Sequence, residues 1–358
     1  MLSSVLTAMS GGVDSSVAAA LLQEYCETVV GITMKLWDFP PAEQSPGRGC
    51  CSIEDAADAA AVAAKLGIPH YVLNLKEDFF RLVVSDFIVE YRSGRTPNPC
   101  IRCNTMMKWG ALWKKKEEMN LDYIATGHYA QVKKINGEVG LYRADFREKD
   151  QSYALWGIPY HKLAGTVFPL GALSKAEVRR KAESMGLRTA KKAESQEICF
   201  IPDNDYGGFL RRQGVEIGRG EMLDAAGRVL GSHSGYIDYT IGQRKGLGGG
   251  SPYPLFVHRI DASANRIYVG PRQDTVFRRV AVDKVNWLTE EPVYHQFSAL
   301  VKIRYSDAGR EALVKAIDSA RLSIEFASGV EAPTPGQSAV VYAGERVICG
   351  GIIASAEK

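Results

Sequence analysis

Near the amino terminus the chain reads Val5-Leu6-Thr7-Ala8-Met9-Ser10-Gly11-Gly12-Val13-Asp14-Ser15-Ser16 and continues into the apolar run 17–22. The apolar residues before the glycine pair predict a strand, and those after it predict a buried helix. Two adjacent glycines let the backbone approach a bound anion without interference from a Cβ atom. The serine hydroxyls and the first N–H groups of the helix can donate to phosphate oxygens. The sequence therefore predicts a phosphate-binding turn between a strand and a helix.

Asp14 restricts the kind of phosphate site that this turn can form. The turn lacks the Gly-Lys-Ser/Thr ending of a Walker-type loop, and a carboxylate suits an anion site where a metal ion bridges it to phosphate. The alternative is a tight turn that merely starts a helix. The pattern resembles the pyrophosphate-loop ATP pyrophosphatases, which cleave ATP between the α and β phosphates. That resemblance implies ATP as a substrate and Mg²⁺ as the bridging ion.

The composition is that of a globular protein with more than one domain. The chain has 358 residues, of which 46% are hydrophobic and 24% charged, so we expect two or three domains. It shows neither a signal-like start nor a run of about 18 apolar residues, so we expect a cytoplasmic protein without a membrane span. The net charge of +3 and the pI of about 8.3 permit binding to a polyanion without requiring it.

Strand-like and helix-like segments alternate through the first half of the chain. Strands are predicted at 29–34, 71–73 and 123–127, and helices at 53–66 and 79–91. This alternation predicts an α/β fold, with helices on both faces of a parallel sheet and ligands at the carboxyl ends of its strands. We therefore expect the loop at Ser10, Met34 and Gly127 to converge on one nucleotide.

The pattern changes after about residue 205. Glycines become dense, and from about residue 280 short strands are predicted at 299–305, 321–326, 338–342 and 347–353, which is typical of a small β-barrel. We predict three domains: an ATP pyrophosphatase domain of the adenine nucleotide α-hydrolase type at 1–205, a small Gly-rich central domain at 206–277 and a C-terminal β-barrel at 278–358.

Seven cysteines in a protein expected to be cytoplasmic point to reactive or metal-binding thiols rather than structural disulfides. Cys100 and Cys103 form a C-x-x-C in the segment 96–104, whose two prolines predict a rigid loop rather than a helix. Cys199 follows in the segment 195–201. The cations Arg102 and Lys108 can favour a reactive thiolate in their neighbourhood.

Three interpretations of these cysteines stay open. A structural zinc site needs a second close pair, for which Cys50-Cys51 is a poor candidate. Burial in the core is the ordinary alternative, and we expect it for Cys26 and Cys349. The third interpretation is sulfur chemistry with two cooperating thiols: a persulfide on one cysteine delivers sulfur to an activated carbon, and the second cysteine resolves the intermediate and leaves a disulfide bond.

The motifs together resemble one family. These are the pyrophosphate loop, Thr96-Pro97-Asn98-Pro99 with Cys103-Asn104, Thr126-Gly127-His128-Tyr129-Ala130, Lys149-Asp150-Gln151-Ser152-Tyr153 and Glu197-Ile198-Cys199-Phe200-Ile201. In this order they resemble the tRNA-specific 2-thiouridylases (tRNA-uridine 2-sulfurtransferases), from Met9 to about residue 350. The resemblance implies that ATP adenylylates O2 of the wobble uridine of tRNA. A persulfide sulfur, received from a sulfur-relay donor protein, then replaces the activated oxygen and gives 2-thiouridine.

The resemblance also implies roles for individual residues. Cys103 matches the nucleophile and Cys199 the persulfide carrier, with Asp14 as a third catalytic residue. The positions implied for ATP are Ala8, Met9, Ser10, Gly11, Gly12, Val13, Asp14, Ser15, Met34 and Gly127. The positions implied for tRNA are Asn98, Pro99, Cys100, His128, Lys149, Asp150, Gln151, Arg304, Tyr305 and Gln337.

Physical chemistry agrees with several of the implied tRNA contacts. A target base must leave its stack before O2 can react. Asp150 and Gln151 can read a base edge, Tyr305 can stack on a base and Arg304 can bind phosphate. The structural alternatives are a hydrogen-bonded histidine at a strand end for His128 and plain barrel surface for 304–305. For Gln337 the alternative is a simple turn.

One position departs from the family pattern. Many members have an aspartate where this chain has Cys100. Cys100, Cys103 and Cys199 can then supply three thiolates to an iron–sulfur cluster, which would replace the persulfide in sulfur delivery. No other metal site is predicted with certainty.

Two further functions stay open at this stage. An amidotransferase-coupled ligase such as a NAD or GMP synthetase shares the ATP chemistry but needs no paired cysteines, and another pyrophosphate-loop tRNA-modifying enzyme would share it too. An RNA-binding module that retains a nucleotide pocket is the non-enzymatic alternative. Release of pyrophosphate that depends on tRNA would exclude it.

Overall fold

The computed structural model describes residues 2–38, 53–192, 198–247, 251 and 253–358. Cys50, Cys51, the segment 195–197 before Cys199 and the glycines 248–250 lie outside the described residues. The strands in chain order are β1 (Leu2–Ala8), β2 (Cys26–Lys35), β3 (His70–Asn74), β4 (Tyr123–Ala125), β5 (Ala130–Ile135), β6 (Glu138–Arg143), β7 (Thr166–Val167), β8 (Gly220–Leu223), β9 (Val229–His233), β10 (Phe256–Asp261), β11 (Arg266–Gly270), β12 (Val276–Trp287), β13 (Phe297–Lys302), β14 (Arg310–Ala316), β15 (Leu322–Glu331), β16 (Ser338–Ala343) and β17 (Arg346–Glu357).

The helices are distributed mainly over the first half of the chain. In chain order they are α1 (Val13–Leu22), α2 (Ile53–Leu66), α3 (Lys76–Phe79), α4 (Ser85–Arg92), α5 (Pro99–Cys103), α6 (Trp113–Glu118), α7 (Tyr160–Leu163), α8 (Lys175–Ser184) and α9 (Tyr206–Arg212). Single 3₁₀ turns occur at Arg147–Lys149, Ser152–Leu155, Tyr236–Asp238 and Arg272–Thr275. In the part of the chain that the structure describes, no helix is long and apolar enough to cross a membrane.

The first half is built on a parallel sheet with the strand order β3-β2-β1-β4-β7. The central strand β1 is buried on both faces, since Val5 and Leu6 are fully inaccessible. Helices α1, α2 and α8 form one apolar layer, while Trp109, Leu112 and neighbouring residues pack with Leu6 on a second apolar cluster. The predicted α/β fold with a parallel sheet is therefore confirmed.

The C-x-x-C segment differs from its prediction. The prolines predicted a rigid loop, but residues 99–103 form helix α5. Asn98 is its cap, and the Asn98 Oδ1 atom accepts hydrogen bonds from the backbone N–H groups of Cys100 (3.1 Å) and Ile101 (3.4 Å). Pro99 occupies the first helical turn, where the N–H group that proline lacks has no partner in any helix. The cysteine pair is thus placed on the first turn of a helix.

Two helices of this region contain π-helical segments. Phe80–Val84 joins α3 to α4, and Asn104–Leu112 joins α5 to α6. The first of these interrupts the helix that the sequence predicted at 79–91. A π turn is bonded from residue i to i+5 and is wider than an α turn, so it changes which side chains share a face of the helix.

The central part forms a second, smaller sheet with the order β10-β11-β8-β9. Its buried residues, including Met222, Ile267 and Val269, belong to one apolar cluster with Phe79 and Phe87 of the first domain. Helix α9 contributes Phe209 and Leu210 to the same cluster. The central domain is therefore packed directly on the helices that precede the C-x-x-C segment.

The last part is an antiparallel barrel, as predicted. Its strands follow the order β12-β15-β14-β13-β16-β17, and pairing of β12 with β17 closes it. Strand β14 had no counterpart in the sequence prediction. The hairpin β5–β6 of the first half extends the same sheet through the pairing of β6 with β17. Strand β12 begins at Val276, and a hairpin of the first half joins the barrel sheet. The predicted domain boundaries after residues 205 and 277 stay a prediction.

Candidate active site

The glycine-rich turn connects β1 to α1 and leaves the start of the helix open. Gly12 provides no side-chain cap to α1, so the first N–H groups of the helix remain available to an anion. Gly11 has a φ angle of +71°, and a Cβ atom there would lie 2.2 Å from the carbonyl oxygen of Asp55. Gly11 therefore fixes both the turn and its contact with the start of α2.

Hydrogen bonds within the turn hold its serines in place. The backbone N–H of Ser10 donates to the Ser15 hydroxyl at 3.1 Å, and the hydroxyls of Ser15 and Ser16 donate to the carbonyl oxygen of Gly12. Gly127, after β4, lies against the same turn, because a Cβ atom there would be 2.7 Å from the Ser15 nitrogen. The ends of β1 and β4 thus meet, as the sequence predicted for a single nucleotide site.

Asp14 is engaged by two partners that the sequence analysis did not find. The Lys175 ammonium lies 2.7 and 2.8 Å from the two carboxylate oxygens, and the Tyr129 hydroxyl donates to Oδ1 at 2.7 Å. Lys175 is placed by the capping box of Ser174 and Glu177 at the start of α8. No sequence signal near residue 14 indicates these contacts, since the partners are more than 100 residues away.

A metal ion bound by Asp14 would have to replace the Lys175 ammonium, which lies within 2.8 Å of both carboxylate oxygens. Mg²⁺ in phosphate sites is commonly held by one or two carboxylates together with substrate oxygens, and Asp14 is the carboxylate that lines the cavity among the described residues. Within those residues no group of three or more His, Cys, Asp or Glu side chains is placed to hold a metal ion. A magnesium ion here would therefore need phosphate oxygens as ligands.

Helix α5 carries the cysteine pair into the same region. Cys100 is exposed and Cys103 is partly buried. The Arg102 side chain is directed away from them, because its Nε atom donates to the Leu82 carbonyl oxygen at 3.0 Å and its guanidinium lies 3.5 Å from Asp86. Of the two cations named as neighbours of the thiols, Lys108 is the one that lines the cavity.

Cys199 lies beside an aromatic anchor. The next residue, Phe200, is buried, and its ring centroid lies 5.2 Å from that of Phe209 and 5.9 Å from that of Trp37. It also packs edge-on against Phe79 and Phe87. These contacts fix the backbone next to a partly buried cysteine, while residues 193–197 lie outside the described part of the chain.

One cavity of about 370 Å³ joins these elements. Of the predicted site residues, the cavity is lined by Ala8, Met9, Ser10, Asp14, Ser15, Met34, Pro99, Cys100, Cys103, Gly127, His128, Gln151 and Cys199. The predicted residues outside its lining are Gly11, Gly12, Val13, Asn98, Lys149, Asp150, Arg304, Tyr305 and Gln337. The phosphate-binding turn and all three cysteines of interest therefore face one space. By contrast, Cys26 and Cys349 are buried in apolar clusters, which confirms the expectation for them.

His128 is part of a hydrogen-bonded chain in the cavity wall. Its Nδ1 atom lies 2.6 Å from the Thr126 hydroxyl, and the Lys108 ammonium donates to its Nε2 atom at 3.1 Å. The ring packs between Trp109 and Phe168. Burial and the nearby Lys108 charge hold the pKa of His128 well below its usual 6.5, so the imidazole is neutral and accepts this hydrogen bond.

The neighbouring motif residues divide between a buried and an accessible position. Asp150 is buried, and its carboxylate accepts hydrogen bonds from the N–H groups of Ala144 and Ser152 and from the Ser152 hydroxyl. These bonds direct the carboxylate into the fold, in contrast with the base-reading role expected for it. Gln151 accepts a bond from the Tyr129 N–H at 2.9 Å through Oε1 and lines the cavity.

The remaining predicted tRNA contacts lie in the barrel and in loops outside the cavity lining. Arg304 and Tyr305 follow β13 rather than belonging to it, and Tyr305 is 48% exposed with its ring edge-on to Tyr153. Gln337 donates from Nε2 to the Thr96 carbonyl oxygen at 2.9 Å. This bond ties the turn before β16 to the loop that leads to Asn98 and the cysteine pair. Lys149 lies on a 3₁₀ turn.

The fold and the site define the class of protein. A parallel sheet with an uncapped Gly-rich turn is followed by two β domains, and this architecture matches family models throughout. Residues 3–203 match the tRNA methyl transferase HUP domain, residues 208–271 the tRNA methyl transferase PRC-barrel domain, and residues 277–353 the aminomethyltransferase β-barrel domain. The chain is thus a HUP-domain protein with an appended PRC barrel and a C-terminal barrel.

Relatives identify the family. The chain is 43% identical over 364 residues to a tRNA-specific 2-thiouridylase MnmA of Amoebophilus asiaticus, covering 99% of this chain and 96% of the relative. It is 46% identical over 355 residues to the protein of that name from Carboxydothermus hydrogenoformans, covering 98% and 97%. The chain belongs to the tRNA-specific 2-thiouridylase family, which confirms the resemblance seen in its motifs.

A solved structure is similar only at a low level. The crystal structure of a 4-thiouridine synthetase–RNA complex with bound ATP aligns with a TM-score of 0.34 and 16% identity, covering 59% of this chain and 50% of that one. A similarity of this size supports no argument about this chain.

Proposed function

We propose that this protein is an ATP-dependent tRNA-uridine 2-sulfurtransferase that converts the wobble uridine of tRNA anticodons to 2-thiouridine. The observation that carries the proposal is the single cavity that contains the phosphate-binding turn, Cys103 and Cys199. Family membership supports the reaction class, since the relatives are named for this modification. A ligase with the same ATP chemistry would have no use for two cysteines in the cavity.

The first step is activation of the base. O2 of the uracil attacks the α phosphorus of ATP, the bond to the β-phosphate oxygen breaks, and pyrophosphate leaves while the N3 proton is lost. We assign the phosphates to residues 8–15 and the adenosine to Met34 and Gly127, at the ends of β2 and β4. Asp14 would hold Mg²⁺, which neutralises phosphate charge when bound. The Lys175 ammonium, released from the Asp14 carboxylate by the metal, would then bind phosphate oxygens.

The second step moves sulfur. The terminal sulfur of a Cys199 persulfide attacks C2, and the C2–O bond breaks so that its electron pair leaves with AMP. The Cys103 thiolate then attacks the Cys199 sulfur and breaks the bond between that sulfur and the sulfur now attached to C2. The base keeps the transferred sulfur, and N3 regains a proton. Two thiols are oxidised to a disulfide as the transferred sulfur is reduced, so an external thiol must restore both cysteines.

The tRNA would approach from the barrel side of the cavity. We propose that Tyr305 stacks on an unpaired base, that Arg304 and Lys149 bind phosphates, and that Gln151 reads the edge of the target base. His128, Asp150 and Gln337 are held by internal hydrogen bonds, so we assign them to positioning the cavity wall and the loop before α5. Asn98 and Pro99 shape the start of α5, which brings Cys100 next to the target base.

We favour the persulfide route over an iron–sulfur cluster, because it needs only the thiols of Cys103 and Cys199. A cluster would need Cys100 as a third thiolate ligand, and all three cysteines line the same cavity. Iron and sulfide analysis of anaerobically purified protein tests this choice. We expect less than one iron per chain in fully active protein. We also propose that a sulfur-relay protein loads Cys199 and that the enzyme acts on tRNA in the cytoplasm.

The experiment for the whole proposal is a thiolation assay. Protein, ATP, magnesium, a persulfide sulfur donor and a reducing thiol are incubated with a wobble-uridine tRNA transcript, and nucleosides are read by mass spectrometry. We expect 2-thiouridine from the parent protein, none from Cys103→Ser or Cys199→Ser, and continued pyrophosphate release from Cys103→Ser. Cys26→Ser serves as the control cysteine, because Cys26 is buried away from the cavity. Thiolation that survives both site substitutions would refute the mechanism.

A further inference from the structure

The cavity contains one cation that no step above has used. Among the described residues that line it, Lys108 is the one lysine or arginine and Asp14 the one carboxylate. A pocket that binds a nucleotide and forms an adenylate develops negative charge at a defined place, and a fixed cation there stabilises the transition state. The position and support of Lys108 fit such a charge.

Lys108 reaches the cavity because of the π-helical segment after α5. Lys108 lies five residues after Cys103, and in an α-helix that spacing would place the two side chains about 140° apart around the axis. The segment 104–112 is instead bonded from i to i+5, which brings residues five apart into adjacent turns on the same side. Both side chains consequently line the cavity.

Two neutral acceptors hold the ammonium. Lys108 Nζ donates to Asn104 Oδ1 at 2.8 Å and to His128 Nε2 at 3.1 Å. Each acceptor is itself fixed: the Asn104 amide donates to the Ala154 carbonyl oxygen, and His128 is bonded to the Thr126 hydroxyl. Neither acceptor carries a negative charge that would neutralise the ammonium, and two of its three N–H groups are used by these described partners, which leaves the third to a ligand.

The place of Lys108 between the two halves of the cavity indicates which anion it meets. His128 follows Gly127, which touches the start of α1, and Asn104 follows Cys103. The β and γ phosphates are expected at the turn and α1, and the base is expected near the cysteines. The group between them is the α-phosphate.

We propose that Lys108 is a catalytic residue that binds the α-phosphate of ATP, of the adenylylated uridine and of AMP. When the C2–O bond breaks, the phosphate gains negative charge as AMP leaves, and the Lys108 ammonium stabilises that charge. Asn104 and His128 are positioning residues for it. The inference rests on the proposed function, because it takes AMP as a product of the cavity.

The test compares the binding of AMP and adenosine by isothermal titration calorimetry. Lys108→Met is expected to raise the Kd for AMP about 10- to 100-fold, the usual effect of losing a hydrogen bond to a charged group, and to leave the Kd for adenosine unchanged. Lys108→Arg, which keeps the charge, should recover part of the AMP affinity. Lys114→Met is the matched control, since Lys114 is an exposed lysine of α6 outside the cavity lining.

The outcomes separate the inference from the function on which it rests. Equal AMP affinity in the parent protein and Lys108→Met would overturn the role of Lys108 and leave the proposed function intact. Parallel loss of AMP and adenosine binding would also overturn it, because the substitution would then damage the cavity as a whole. A parent protein that binds neither compound would contradict the proposed function and the inference together.

Discussion

The two halves of the reaction cavity are built in different ways. The nucleotide half consists of consecutive residues of one turn and of the ends of β2 and β4, all held by one parallel sheet. The cysteine half brings α5, the segment after residue 198 and the Gln151 loop together through packing between distant segments. Damage to the first half should stop both chemical steps, whereas damage to the second should stop sulfur transfer and spare activation.

The largest effect is expected at Gly11 in the nucleotide half. Gly11→Ala forces a side chain into a left-handed conformation and places its Cβ atom 2.2 Å from the Asp55 carbonyl oxygen. We expect a loss of about 2–5 kcal/mol in the free energy of unfolding, with loss of ATP binding. Gly12→Ala is the control, because the nearest atom to its Cβ would be the Ser10 hydroxyl at 3.6 Å. Denaturant unfolding curves of equal midpoint for the two variants would contradict this prediction.

The next effect concerns the charge of Asp14. Asp14→Asn keeps the shape of the side chain but removes the charge that pairs with Lys175. We expect pyrophosphate release to fall about 100-fold and thiolation to fall with it, since activation precedes sulfur transfer. Asp122→Asn is a suitable control, because Asp122 is exposed and bonds Ser3 and Ser4 at the start of β1. Normal pyrophosphate release by Asp14→Asn would remove Asp14 from the mechanism.

The same contrast explains what the sequence could predict. Strand, glycine pair and helix are local signals, so the phosphate-binding turn and its meeting with Gly127 follow from pattern and sheet topology. The alternating strands likewise predict the sheet and the barrel. Strand β14 was missed, although its alternating burial is regular, because Glu311, Ala312 and Leu313 are residue types that favour a helix.

The cysteine half depends on contacts that no local pattern carries. The prolines before Cys100 suggested a loop, yet Asn98 and Pro99 together start a helix. No local pattern predicts the π turn that brings Lys108 to the cavity. In the nucleotide half, the pairing of Asp14 with Lys175 is unpredicted for the same reason, because the two residues are far apart in the chain. Asp150 looked available for base recognition, but its carboxylate already accepts hydrogen bonds from the N–H groups of Ala144 and Ser152 and from the Ser152 hydroxyl. Sequence named the residues of this half better than it named their roles.

A third prediction tests the aromatic anchor of the cysteine half. Phe200→Leu removes ring contacts with Phe79, Phe87 and Phe209 and loosens the backbone beside Cys199. We expect about 1 kcal/mol of lost stability and a fall of about tenfold in thiolation relative to pyrophosphate release. Phe326→Leu, in the buried barrel core, should cost similar stability without changing that ratio. An unchanged ratio in both variants would separate Phe200 from sulfur transfer.

A fourth prediction asks whether the barrel face binds tRNA. Tyr305→Ala should lower tRNA affinity by about 1–3 kcal/mol, the usual contribution of one stacked base, and should leave stability nearly unchanged because Tyr305 is 48% exposed. The control variant is Tyr294→Ala, because Tyr294 is also an exposed tyrosine (59%). Binding measured by filter retention at several salt concentrations should also weaken steeply with salt in the parent protein. Equal affinities of the two variants would place the tRNA on another face.

A last prediction concerns His128, where the two halves meet, and its effect appears only in acid. Its pKa is held well below 6.5 in the folded protein, so below pH 6.5 the unfolded chain binds a proton that the folded protein does not. Stability should therefore fall with acid, by about 1.4 kcal/mol for each pH unit below that point from this group. His128→Gln should remove that share of the slope, measured by denaturant unfolding at pH 7 and pH 5.5. A slope that is the same with and without His128 would mean that the imidazole becomes protonated in the folded cavity, where it could no longer accept the hydrogen bond from Lys108.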